Sequence, residues 1–145
     1  MHGKNVIVKK LYKFTYNFLT FFEFLVGLSA IVGGLGLIAT FRLGIPIDWL
    51  PQSPFPTYLE PGIILVSVIG STHFIASILL SKKDANAIQW TAIAGCTLLI
   101  WIFAEMHIVR QISWLQTIYF MFGLTSVSLS VVLLSIIIKL EKHRS

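Results

Sequence analysis

Four long apolar stretches, separated by polar breaks, set the plan of this chain. They run from about Phe18 to Thr40, from Pro61 to about Ser81, from roughly Ala87 to Val109, and from about Trp114 to Ile138. A membrane-crossing helix needs about 20 consecutive, mostly apolar residues, and each stretch meets that length. None alternates apolar and polar residues with a period of two, the mark of a barrel strand. Helices are then the remaining way to satisfy every backbone N–H and C=O in lipid. The pattern predicts an all-α fold, a four-transmembrane-helix antiparallel bundle in one membrane domain covering residues 1–145.

The breaks between stretches are unequal. Residues 82–86 and 110–113 form tight turns, so each flanking helix pair reads as an antiparallel hairpin. The segment 41–60 is longer and holds Pro46, Pro51, Pro54 and Pro56, with Pro61 opening the second helix. Proline at the first turn of a helix costs little, whereas several in one segment forbid a long helix. Apolar Ile45, Ile47, Trp49, Leu50 and Phe55 place this loop on the membrane surface as a cap.

Charge then sets the expected orientation. Nine of the 11 Lys and Arg residues fall in the two tails and the 82–86 turn: Lys4, Lys9, Lys10, Lys13, Lys82, Lys83, Lys139, Lys142 and Arg144. Only Arg42 and Arg110 lie on the other side. Basic residues accumulate on the cytoplasmic face, so both termini are expected inside. The aromatic residues at the span ends agree, with Tyr12, Tyr16 and Trp90 at one level and Trp49, Tyr58 and Trp114 at the other. A cleaved signal peptide is not expected, because the first apolar stretch exceeds the usual 7–15 residues, no A-x-A site follows it, and it contains Glu23.

Composition excludes several classes. Hydrophobic residues make up 56% of the chain and charged ones 12%, about half the charged share of a soluble domain. The net charge of +5 sits where lipid headgroups are, so nucleic acid is not an expected partner. A single cysteine, Cys96, permits neither an internal disulfide nor a CxxC redox pair. No metal cluster and no cofactor motif is present.

Small residues mark the expected helix contacts. Glu23, Gly27, Ala30 and Gly34 share one face of the first helix, with Ser29 and Gly33 beside it. The other helices offer Ser67, Gly70 and Ser71; Ala92 and Cys96; and Gly123, Ser126 and Ser130. The same spacing serves either close packing or a lined cavity.

Ionisable groups inside a span are costly and therefore functional candidates. Glu23 points into the bundle toward the cytoplasmic side, where Lys82 or Lys83 is within reach; it reads as a neutralised acid or as a proton or cation site. His73, flanked by Ser71, Thr72 and Ser77, reads as a satisfied core histidine or as a proton relay. Glu105 ranks first. With Glu60, Arg110 and Gln116 it gathers at the outer end beneath the proline loop, as a polar cap or as a ligand pocket opening outward.

The ordered motifs resemble a family of small, uncharacterised bacterial four-helix integral membrane proteins. They are Leu25-Val26-Gly27 to Gly36, Ser53-Pro54-Phe55, Tyr58-Leu59-Glu60-Pro61-Gly62, Ser71-Thr72-His73, Ile100-Trp101-Ile102 to Glu105, and Ser113-Trp114-Leu115-Gln116. The resemblance covers most of the chain and implies the fold and a bacterial inner-membrane location, with no activity attached. The layout is also similar to DoxX-like proteins. Small multidrug-resistance transporters likewise carry a glutamate in the first of four helices, but lack the long proline loop.

Three function classes follow. The first is a non-enzymatic accessory or small lipid- or apolar-ligand-binding membrane protein. The second is a proton-coupled small transporter subunit working as a homo-oligomer or beside a membrane partner, since four short helices barely enclose a path alone. The third is a lipid- or quinone-linked membrane enzyme, which lacks a recognisable nucleophile–base pair or nucleotide loop.

Overall fold

The computed structural model describes residues 2–40, 44, 45, 55–109 and 113–142. They form four helices: α1 His2–Thr40, α2 Leu59–Ser81, α3 Ala87–Val109 and α4 Trp114–Lys142. Each helix packs on its sequence neighbours and α1 closes on α4, which is an up-down-up-down bundle. All four are long and apolar enough to cross a membrane, and no more than about a third of each span is buried. The outward residues include Phe14, Phe21, Val32, Ile100, Phe103 and Val131. The innermost include Glu23, His73, Thr91 and Ser126. Apolar outside and polar inside is the distribution that lipid solvent requires.

Three apolar clusters order the bundle from end to end. Tyr16, Leu19, Leu80, Ala87 and Leu133 pack together at the end that carries both chain termini. Val26, Ala30, Ile69, Leu98 and Ile102 fill the middle. Leu37 and Tyr58, with Ile45 and Phe55 packed on them, close the loop end. Lys9, Lys10, Lys13, Lys82 and Lys83 are exposed at the terminal end.

The helix limits depart from expectation at three places, each for a physical reason. α1 begins at His2 rather than near Phe18, because no Gly-Pro break follows the lysines and Val6, Ile7 and Leu11 continue the apolar pattern. Its 39 residues reach ~58 Å at 1.5 Å per residue, about twice the hydrocarbon thickness, so its lysine-bearing start extends past the span. α4 continues beyond Ile138 to Lys142, ending on Lys139 and Lys142, cations that suit a helix C-terminus. α2 starts at Leu59, ahead of Pro61. The Thr57 hydroxyl accepts the Leu59 N–H at 3.2 Å and donates to the Glu60 carboxylate at 2.9 Å. Pro61 sits in the first turn, where a backbone N–H has no intrahelical partner to lose. Pro46, Pro51, Pro54, Ile47, Trp49, Leu50 and Arg42 lie outside the described residues, as does Arg110.

Two glycine contacts set the spacing between helices. A Cβ on Gly34 would stand 2.7 Å from the Gly62 carbonyl oxygen and 2.6 Å from Val66 Cγ2. A Cβ on Gly95 would stand 2.9 Å from the Gly123 carbonyl oxygen. Backbones therefore approach within reach of dispersion and weak Cα–H···O contacts, the usual means of association in lipid. Gly27, Ala30 and Gly34 are buried as expected, and so are Gly123, Ser126 and Ser130. Ser67, Ala92 and Cys96 are not at buried contacts: Ser67 and Cys96 are exposed, Ala92 is half-buried, and Gly95 makes the α3 contact.

The hydroxyls near Ser67 have another task. Leu65–Gly70 is π-helical, and this wider turn brings the adjacent Ile69 and Gly70 both to the core. The Ser67 hydroxyl donates to the Ile63 carbonyl at 2.7 Å and Thr72 to the Val68 carbonyl at 2.8 Å, while Ser71 donates to the Ser67 carbonyl. Such back-bonding satisfies carbonyls that irregular winding leaves exposed to lipid.

α2 ends in a Schellman turn. Asp84 N–H donates to the Leu79 carbonyl at 2.9 Å and Lys83 N–H to the Leu80 carbonyl at 3.0 Å. The geometry puts Lys83 at φ 53°, a left-handed position normally given to glycine and costing an L-residue about 1–2 kcal/mol.

The glycine contacts yield a paired expectation. Gly34→Ala is expected to lower stability by ~1–3 kcal/mol, because the Gly62 backbone cannot yield. Gly33→Ala, whose Cβ meets nothing within 4 Å, is expected to be neutral or slightly stabilising through helix propensity. Reversible unfolding in mixed micelles measures both; equal effects would refute the close backbone approach.

Candidate functional site

Two polar features stand inside the bundle at different depths. The first is built around Glu23, which is 0% exposed. A carboxylate removed from water and lipid headgroups needs donors on both oxygens. His73 Nδ1 lies 2.5 Å from Oε2, and the Ser126 hydroxyl donates to Oε1 at 2.6 Å. The three residues come from α1, α2 and α4, so one side chain ties three helices. Glu23 is thus held by His73 and Ser126 in place of the lysine expected from its depth; Lys82 and Lys83 are exposed.

Local sequence explains how His73 reaches it. Gly27 lies one turn after Glu23 on the same face. A Cβ there would stand 3.2 Å from the His73 Cβ and 2.7 Å from Phe74 Cδ2. The absent methyl admits α2 against α1 at this level. Below it, the Ser77 hydroxyl donates to the Thr20 carbonyl at 3.0 Å, fixing the same helix pair a turn nearer the termini.

The pair has two arrangements of balanced charge. Nδ1–H of an imidazolium donates to the carboxylate, or Oε2–H of the acid donates to a bare Nδ1; they differ by moving one proton along the bond. In both, Nε2 carries a hydrogen. His73 Nε2 is buried and has no hydrogen-bond partner among the described residues, a costly state for a polar group. Among the described residues, Glu23 and His73 are the only Asp, Glu, Lys, Arg or His side chains that are buried.

The second feature is a cavity of about 300 Å³ at the loop end, partly open to its surroundings. Ala30, Gly33, Leu65, Leu98 and Ile102 form apolar walls, and Trp101, Trp114 and Tyr119 add aromatic faces. Its polar groups are Ser29, Tyr58, Glu105, Ser113 and Gln116. Ser113 N–H donates to Gln116 Oε1 at 2.9 Å, and the Ser113 hydroxyl accepts the Gln116 N–H at 3.3 Å. This capping box at the start of α4 occupies Gln116 Oε1 and leaves the amide NH₂ free to face Glu105 across the cavity. Burial, and then the Glu105 charge, push the Tyr58 phenol above its ordinary value, so it stays a protonated donor.

The sequence-predicted residues therefore divide. Glu105 and Gln116 meet in the cavity as expected. Glu60 is not a lining residue; its carboxylate serves Thr57 at the α2 start. Arg110 lies outside the described residues. Glu23 and His73 meet each other, about two helical turns from the cavity. The layer of Val26, Ala30, Ile69 and Leu98 lies between, and among the described residues no hydrogen bond links the two features. Ser126 and Tyr58 were missed as functional residues. Their only signals were polarity on a small-residue face and aromaticity at a span boundary. Among the described residues no group of three or more His, Cys, Asp and Glu is placed to hold a metal ion.

The energetics of the buried pair are testable. His73→Leu leaves Glu23 with Ser126 alone and is expected to destabilise by ~3 kcal/mol, the usual cost of orphaning one member of a buried pair. Glu23→Leu combined with His73→Leu is expected to cost much less than the two single changes summed. Additive losses in a double-mutant cycle, read from reversible unfolding, would show that the two side chains are energetically independent.

No protein-family model matches this chain, and comparison with curated proteins and with solved structures finds no match either.

Proposed function

We propose that this is a non-enzymatic membrane protein that binds a small amphiphile in the loop-end cavity, with the ligand's polar head at Glu105. In this reading it sits in a bacterial inner membrane with both termini in the cytoplasm. The gathering of Lys9, Lys10, Lys13, Lys82 and Lys83 at one end supports that orientation, and the motif resemblance supports the location. The cavity is the observation that carries the function. Its volume of about 300 Å³ lies at the small end of ligand sites, and apolar walls with few convergent polar groups are their usual composition.

The polar groups select the head. Glu105 lies beside Gln116 in the cavity and retains free lone pairs. A hydroxyl or ammonium head completes its shell, whereas a carboxylate head meets like charge. Trp101 and Trp114 line the cavity and report on occupancy. In nanodiscs, decylamine and decanol are expected to change tryptophan emission at lower concentration than decanoate. Glu105→Gln is expected to weaken the amine by about tenfold, equivalent to ~1.4 kcal/mol. Gly33→Leu, which projects a side chain into the cavity, is expected to weaken all ligands. Equal binding of the three chains, unaffected by Gly33→Leu, would indicate partition into lipid and remove this reading.

The Glu23–His73 pair favours a second reading, a proton-coupled transporter subunit acting in an oligomer. A carboxylate and an imidazole joined by a buried hydrogen bond, with a ring nitrogen left over, are the groups such a device needs. Acid-driven proton uptake into proteoliposomes is the check. Uptake present in the wild type and abolished in Glu23→Gln supports it; no uptake in either eliminates it.

A further inference from the structure

A groove of about 380 Å³ runs between α1 and α2 at the terminal end, opposite to the cavity. It is lined near the bundle by Tyr16, Thr20, Ser77 and Leu80, and at its rim by Asn17, Ser81 and Lys83. Phe21 and Phe24 continue its floor toward the middle of the bundle, and both are exposed. We propose that this groove is a binding site for one anionic phospholipid, with its phosphate at Lys83 and one acyl chain along Phe21 and Phe24.

The hydrogen-bond inventory selects the headgroup. Three lining hydroxyls have already given their hydrogens to backbone carbonyls: Thr20 to Tyr16, Ser77 to Thr20, and Ser81 to Ile78. Among the described residues, the lining donors without a hydrogen-bond partner are the Lys83 ammonium, the exposed Asn17 amide and the Tyr16 phenol. Donors without matching acceptors call for an acceptor-rich anion, and a phosphate supplies several oxygens. Lys13 sits one turn before Asn17 on the same face of α1 and extends the positive field outward. The acid nearest in sequence, Asp84, keeps its charge but is exposed and turned back on its own turn, its Oδ1 accepting the Asn86 N–H at 2.8 Å, and it is outnumbered at this end by Lys13, Lys82 and Lys83.

The backbone gives an independent reason to single out Lys83. It holds the left-handed position of the α2 Schellman turn at φ 53°, where glycine is the unstrained choice. A lysine kept in a strained conformation and turned into a groove is the pattern by which backbone outliers point to function. The phenylalanines decide between a free anion and a lipid. A groove that leads from a cation at headgroup level to exposed aromatic rings within the span fits an amphipathic lipid, and basic clefts between transmembrane helices are known lipid headgroup sites.

The substitution that tests this also controls for folding. Lys83→Gly relieves the backbone strain and removes the ammonium together. Full-length protein is titrated with phosphatidylglycerol, phosphatidylcholine or inorganic phosphate, and bound lipid is counted by native mass spectrometry alongside thermal unfolding. The wild type is expected to retain one phosphatidylglycerol at least tenfold more tightly than phosphatidylcholine. Lys83→Gly and Lys83→Gln are expected to lose that preference, with Lys83→Gly at least as heat-stable as the wild type without lipid. Lys82→Gln, the same charge loss one residue outside the groove, is expected to change binding less than twofold. Equal losses in the Lys82 and Lys83 variants would mean diffuse attraction and overturn the proposal. Stabilisation by inorganic phosphate to the same extent would overturn the lipid assignment. Either failure leaves the loop-end cavity unaffected, because none of these variants touches it.

Discussion

The bundle depends on where one carboxylate finds its donors. Glu23 lies inside a span, fully buried, where an unpaired charge or an unpaired acid is strongly disfavoured. Its two oxygens take His73 from α2 and Ser126 from α4. Lipid gives no hydrophobic force to bring helices together, so directional bonds of this kind specify rotation and depth. Apolar packing alone leaves these degrees of freedom loose. Once Glu23 is placed, Gly27 must face α2, and Gly34 comes opposite Gly62 two turns later. The same rotation puts Ala30 and Gly33 toward α3 and α4, where they become walls of the cavity.

The two ends differ because the constraints on them differ. At the terminal end, α1 and α4 outrun the span, and their lysines stand clear of the core at headgroup depth. The 82–86 turn closes α2 onto α3 with hydrogen bonds from Lys83, Asp84 and Asn86, and its strain is concentrated at one residue. At the loop end, α1 and α2 stay in contact through Gly34 and Gly62, but no tight turn joins them, and the space toward α3 and α4 is not closed by the helices alone. Ile45, Phe55 and Tyr58 fill part of the gap, and the Ser113–Gln116 box starts α4. What is left unfilled is the cavity.

Much of this was legible in the sequence because the signals were one-dimensional. Length and hydropathy placed four spans, and the lysines sorted the ends. The meeting of Glu105 with Gln116 followed from a tight turn, which makes depth on α3 predict depth on α4. The Glu23–His73 pair did not follow in the same way. These residues sit on helices joined through a long loop, so their relative depth is not fixed by a turn. By sequence, lysine is the expected partner for Glu23, because both belong to the terminal half. The choice was made instead by Gly27, whose missing side chain lets His73 approach. A glycine states that something comes near without stating what.

The π-helical turn of α2 was invisible for a related reason. Ser67 and Ser71 read as small contact residues and Thr72 only as a neighbour of His73, since small polar side chains in a span normally face another helix. Here their hydroxyls return to their own helix and satisfy carbonyls left open by the wider winding. This change of winding has consequences beyond its own turn. It lets Ile69 and Gly70 both enter the core, with Gly70 against Ile31, and it hands the helix on to Ser71–Ser81 in the register that aims His73 at Glu23. Ile69 then lies in the apolar layer that separates the buried pair from the cavity. A straight α-helix over the same residues would turn the segment after it by about a quarter of a circle, taking His73 off the Glu23 face. The irregularity in α2 and the polar centre of the bundle are thus two parts of one solution, in which hydroxyls that lipid would reject make possible the bond that Glu23 requires.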